Sequence, residues 1–199
     1  MTKIKICGLR RPEDIAYVNE AKPDFAGFII DVPKSRRNVP REKVRELTAL
    51  LSPEILPVGV FVNAPMETIS LVTDGTLKAV QLHGQESQSY LEELKKQVAV
   101  PLIRAFSIRS PEDLTEAEKS PADFVLLDNG AGGTGETFDW SLLSSFDRPF
   151  FLAGGLRLEN ITEAVSRFHP YALDLSSGVE TDGYKDKEKI IAAVAAVRR

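Results

Sequence analysis

Phe150-Phe151-Leu152-Ala153-Gly154-Gly155-Leu156 is followed, one helix-length on, by Ala172-Leu173-Asp174-Leu175-Ser176-Ser177-Gly178-Val179-Glu180. Each is an apolar run that stops on residues small enough to expose backbone N–H groups. Such groups, together with the positive end of a following helix, bind phosphate. In an eight-stranded α/β barrel, the loops after strands seven and eight build the usual phosphate site. The two stretches therefore predict a barrel and a phosphorylated ligand together.

The rest of the chain keeps the same beat. Candidate strands begin at Lys3, Phe25, Pro57, Ala79, Pro101, Phe124, Phe150 and Ala172, and all but two of the intervals are 22 or 23 residues. That is about the length of a strand, a crossover helix and two turns, and eight such units read as a closed (β/α)8 barrel. An open doubly wound sheet is the alternative. Helix signals fall between the strands. Pro12-Glu13-Asp14, Pro40-Arg41-Glu42 and Pro65-Met66-Glu67 each set a proline and acids at a helix start, and Ser110-Pro111-Glu112-Asp113 reads as a cap. A last helix over 186–197 carries Ile190, Ile191, Val194 and Val197 on one expected face. The two long intervals follow strands two and six, on the face where barrel enzymes keep their sites, so the added length reads as functional.

Composition narrows the function classes. At 199 residues the chain suits one domain over 1–199 with a sizeable core. A net charge of −4 argues against non-specific nucleic-acid or membrane partners, so a small anionic ligand must find local positive features. A single cysteine excludes an intrachain disulfide, and with no signal-like or membrane-length apolar run the expected home is the cytoplasm.

Strand ends supply the candidate chemistry. Alternation puts Lys3, Lys5 and Cys7 on one side of strand one and Ile4 and Ile6 on the other, which aims Lys5 into the barrel and Cys7 at its mouth. Cys7 is either a small core thiol or, as a thiolate, a general base. Asp128 closes Phe124-Val125-Leu126-Leu127-Asp128, a setting that favours a neutral acid, and a protonated carboxyl facing a thiolate makes an acid–base pair. Its plain alternative is a loop cap. Arg36 and Arg37, in the loop after strand two, either clamp an anionic group or form a solvated basic loop. His83 ends strand four on the parity of Gln81, where it contacts substrate or satisfies the core. Lys5 suits an interior ion pair with Asp174 better than a Schiff base. With His83 and His169 the only histidines and no ligand spacing, no metal or cofactor is expected. Gly132-Gly133-Thr134-Gly135 lacks the Gly-Lys-Ser/Thr ending of a nucleotide P-loop.

Taken in order, Lys5-Ile6-Cys7-Gly8, Lys34-Ser35-Arg36-Arg37, Val58 to Asn63, Val80-Gln81-Leu82-His83-Gly84, Leu126-Leu127-Asp128, Gly132 to Gly135 with Phe138-Asp139-Trp140, Ala153 to Leu156 and Asp174 to Glu180 span nearly the whole chain. The set resembles the phosphoribosylanthranilate isomerase family of tryptophan biosynthesis. The resemblance implies an Amadori rearrangement of N-(5-phosphoribosyl)anthranilate. It implies Cys7 as general base and Asp128 as general acid, with Arg37 facing the anthranilate carboxylate. Arg36, which adds an adjacent charge, leaves open which arginine reaches the substrate. It further implies Gly154, Gly155, Ser176, Ser177 and Gly178 around the phosphate, and a monomer or homodimer. A related sugar-phosphate isomerase, such as the Amadori isomerase of histidine biosynthesis, calls for an aspartate in place of Cys7 and two phosphate cups. Indole-glycerol-phosphate synthase, similar in fold, calls for a lysine–glutamate set. A non-catalytic phosphate-binding barrel would lack the acid or the base.

Overall fold

A computed structural model describes residues 1–129 and 140–199. Eight parallel strands run β1 (Lys3–Cys7), β2 (Phe25–Ile30), β3 (Leu56–Phe61), β4 (Ala79–Leu82), β5 (Leu102–Ser107), β6 (Phe124–Asp128), β7 (Phe150–Leu152) and β8 (Ala172–Leu175). Each pairs with its neighbour in sequence, and β1 pairs with both β2 and β8, so the sheet closes on itself. That closure excludes the open sheet. Six strands begin on the expected residue, and β3 and β5 begin one residue away.

Strand parity divides the side chains into two layers. Ile4, Ile6, Ala26, Phe28, Val80, Leu82, Val125 and Leu127 point outward and pack under the helices. Phe25, Val58, Ala79, Ile103, Leu126, Phe151 and Ala172 fill the barrel itself. Its floor is aromatic. Phe124 stacks on Tyr171 at 4.4 Å between centroids, Phe25 and Phe151 tilt against them, and the Lys3 ammonium lies over Tyr171.

The covering helices are α1 (Pro12–Ala21), α2 (Arg41–Ala49), α3 (Ser70–Thr73), α4 (Gln88–Gln97), α5 (Pro111–Glu118), α6 (Ile161–Phe168) and α7 (Lys187–Val197). Four of their starts carry a carboxylate or hydroxyl that accepts backbone N–H groups. Asp14 accepts from the Arg10 and Arg11 amides, Ser87 from Tyr90, Asp113 from Ser110, and Asp186 from Lys189. Two helices are shorter than the repeat suggests. The segment from Pro65 is a 3₁₀ turn (Met66–Ile69) leading into one α-helical turn, and a 3₁₀ turn, Trp140–Ser145, precedes β7. In α7 the buried stripe is Ile190, Ala193, Val194 and Val197, so Ala193 takes the place expected of Ile191.

Candidate active site

A cavity of about 250 Å³ opens at the C-terminal ends of the strands. Cys7 enters it from the end of β1, Asp128 from the end of β6 and His83 from just beyond β4. Going round the rim from Asp128, the next strand ends are those of β7, with Gly154 and Gly155, and β8, with Ser176 and Ser177. Then come Cys7 and, from the loop after β2, Ser35 and Arg37. Ile29, Val32, Val60 and Val62 give the β2–β3 side an apolar wall. Gly178 and Arg36 do not line it.

The turn after β7 is possible because both glycines sit at positive φ, 80° for Gly154 and 64° for Gly155. A Cβ on Gly154 would lie 2.6 Å from both the Asn129 amide and Asp128 Oδ1, so the glycine also lets β6 and β7 approach. Among the described residues, no loop or turn carbonyl takes up the N–H of Gly154, Gly155 or Ser177. These are the donors an anion needs. Ser176 instead turns its hydroxyl to the Cys7 carbonyl at 3.1 Å, tying β8 to β1. Gly178 sits against the Leu156 carbonyl, which a Cβ would approach to 1.9 Å. Its glycine is a packing requirement.

The wall around Cys7 is dense in charge. Below the thiol, Lys5 is fully buried and holds Asp174 at 2.9 and 3.0 Å, the ion pair expected from sequence. Beside it, Glu180 gathers three cations. Arg37 grips it with Nε–Oε1 2.7 Å and Nη2–Oε2 2.8 Å, Arg36 reaches it at 3.0 Å, and Lys185 at 2.7 Å. These partners outweigh burial and hold the Glu180 carboxyl down at about 2. Lys185 also donates to the Ser176 carbonyl at 2.9 Å, and burial lowers its own pKa. Arg37 is almost buried, whereas the Arg36 side chain is 59% exposed on the far side of Glu180. Burial pushes the Cys7 thiol up, and Lys5 and Lys185 oppose that push.

Among the described residues, His83 stands against the Asp128 carboxylate. His83 Nε2 lies 3.5 Å from Asp128 Oδ2. The other ring nitrogen, Nδ1, meets Gln81 Nε2 at 3.0 Å; with the amide donating, the ring proton sits on Nε2, toward Asp128. Gln81 is buried, and its Oε1 has no partner among the described residues.

Sequence reasoning missed Glu180, Lys185 and the part played by Gln81. An acid two positions after the Ser176-Ser177-Gly178 turn was the available signal for Glu180, because it demands cations nearby. Gly132-Gly133-Thr134-Gly135 lies outside the described residues. Among those residues, no three His, Cys, Asp or Glu side chains gather as metal ligands, and no helix is long and apolar enough to cross a membrane.

Residues 4–196 match the family model described as N-(5'-phosphoribosyl)anthranilate (PRA) isomerase. The chain belongs to that family. It is accordingly an isomerase. The relative named N-(5'-phosphoribosyl)anthranilate isomerase from Endomicrobium trichonymphae is 46% identical, over 100% of this chain and 99% of its own length. The crystal structure of phosphoribosyl anthranilate isomerase from Thermotoga maritima superposes with a TM-score of 0.90 at 34% identity, over 100% and 99% of the two chains. A further crystal structure, TM-score 0.86 and 33% identity over 100% and 99%, is of the isomerase in complex with reduced 1-(o-carboxyphenylamino)-1-deoxyribulose 5-phosphate.

Proposed function

We propose that this cavity binds N-(5-phosphoribosyl)anthranilate and that Cys7 and Asp128 carry out its aldose-to-ketose rearrangement to 1-(2-carboxyphenylamino)-1-deoxyribulose 5-phosphate. The family activity belongs to tryptophan biosynthesis. What supports the residue-level reading is the order of groups round the rim: acid, paired glycine turn, serine turn, base, arginine.

The phosphate sits on the N–H groups of Gly154, Gly155 and Ser177, between the two reacting side chains. The anthranilate ring lies against Ile29, Val32, Val60 and Val62, with its carboxylate on Arg37. Asp128 gives its proton to the furanose ring oxygen as the C1–O bond breaks, and the nitrogen lone pair forms the C=N bond. The Cys7 thiolate then takes the proton from C2, and that C–H pair becomes a C1–C2 double bond as the iminium nitrogen regains its electrons. The enolamine gains a proton at C1 and loses one from O2, leaving the ketose. Each positioned proton transfer is worth roughly 10²–10⁴-fold.

The described cavity is built by one chain, so a monomer or a homodimer carries it whole, and the ligand it recognises is a small molecule rather than nucleic acid or membrane. The deciding experiment follows freshly made substrate by its anthranilate fluorescence. Rapid loss in the wild type, abolished in Cys7→Ser with the fold intact by circular dichroism, supports the reading. Equal rates in the two proteins overturn the assignment of Cys7.

A further inference from the structure

We propose that Lys5 is a positioning residue: its buried ammonium, anchored by Asp174, holds the Cys7 sulfur as a thiolate. The inference rests on Cys7 being the base. An ammonium has three N–H donors. Two of those of Lys5 go to Asp174 Oδ1 and Oδ2, and the third remains on the face of β1 that also carries Cys7. Gly27 on β2 makes the space, since a Cβ there would lie 2.9 Å from Cys7 Sγ and 3.0 Å from Lys5 Nζ. Lys5 is 0% exposed, so it is sealed beneath the sulfur, away from solvent.

The placement has no good explanation in stability. Burying an ion pair costs desolvation, and apolar residues of similar size are often as good or better. A barrel of this composition had Val, Ala and Phe available for the middle layer, as its neighbours show. The chemistry does explain it. A buried thiol resists ionisation, yet a thiolate is the form that takes a proton. The charged groups facing Cys7 are Lys5 on β1, Asp174 on β8, Lys185 from the segment after it, and Arg37 from the loop after β2. Of the cations, Lys185 and Arg37 are already drawn toward Glu180, leaving Lys5 as the partner directly beneath the sulfur. Asp174 orients that ammonium and also opposes the thiolate, so the two residues act on Cys7 with opposite sign.

This opposition gives the test. The chain has one cysteine, so alkylation by iodoacetamide reports on Cys7 alone. Its rate against pH gives the thiolate midpoint for the folded protein. Lys5→Met should raise the midpoint by about one unit or more, which at neutral pH is a roughly tenfold slower alkylation. Asp174→Asn should lower it, and Lys5→Arg should restore most of the wild-type value. Isomerase kcat in Lys5→Met should fall at neutral pH and recover as pH rises. If Lys5→Met does not fold, Lys5→Met with Asp174→Leu removes both charges and should still raise the midpoint. Unchanged midpoints, or shifts of one direction in both single variants, would overturn the proposal. Retained activity in Cys7→Ser would instead overturn the base assignment, while the midpoints still decide whether Lys5 controls the sulfur.

Discussion

The Cys7 wall and the Asp128 wall of this cavity are built on opposite plans. Around Cys7 stand Lys5, Lys185 and Arg37, balanced by Asp174 and Glu180 and knitted by bonds of 2.7–3.0 Å. Among the described residues, Asp128 has His83, a buried amide and a glycine turn around it, and its contact with His83 is 3.5 Å. The difference fits the roles proposed above, in which each group must hold one protonation state before it reacts. A buried base must carry a negative charge, which needs cations close by. An acid must keep its proton, which a lysine or arginine at hydrogen-bond range would discourage. The fold keeps the two groups apart, on the ends of β1 and β6, with the glycine and serine turns between.

The largest effects should come from the two groups proposed to touch the reacting atoms. Cys7→Ser and Asp128→Asn should each lower kcat by about 10²–10⁴-fold with little change in circular dichroism. Near-normal turnover in Asp128→Asn would show that only the Cys7 wall matters. Next, Arg37→Met should raise KM roughly 10–100-fold through loss of a charged hydrogen-bonding partner, with a smaller effect on kcat. A pure kcat effect would place Arg37 with the chemistry instead.

Glu180→Gln tests the Cys7 wall as a network. At neutral pH it should cost about 2–4 kcal/mol in denaturant melts, because Lys185 is left buried without its carboxylate. The folded-state value of about 2 lies below the ordinary 4.5, so this stabilisation is present above pH 4.5 and is lost as pH falls through about 2. The gap between wild type and variant should therefore narrow across that window; a constant gap would mean packing rather than charge. On the Asp128 side, Gly154→Ala should cost about 1–2 kcal/mol from its positive φ, and activity should fall as the new methyl pushes Asp128 aside. Arg36→Met should change KM less than about threefold, since its ion pair is exposed.

The sequence made the scaffold legible because a parallel barrel repeats. Six strands starting on their expected residues, from Lys3 to Ala172, reflect hydrophobic runs and crossover lengths that are local properties. Gly154-Gly155 was readable for the same reason, since a turn after a strand end is local chemistry. Cys7 and Asp128 open onto one cavity because strand-end positions on a closed barrel converge. The charge network was not legible. Lys185, five positions on, meets Glu180 across a local antiparallel pairing, but Arg37, 143 positions away, reaches it only because β1 closes against β8. The choice between Arg36 and Arg37 likewise depends on which side of Glu180 each guanidinium takes. Gln81 read as one more barrel residue because its role depends on the orientation of the neighbouring imidazole.

The aromatic floor has a consequence for traffic. Among the described residues, Phe25, Phe124, Phe151 and Tyr171 pack across the lower end, which leaves the strand tips as the doorway. Whatever enters must leave by the way it came, so a product molecule still in residence blocks the next arrival. The ketose phosphate should therefore compete directly with the aldose for the empty enzyme, and throughput should depend on how quickly the doorway clears.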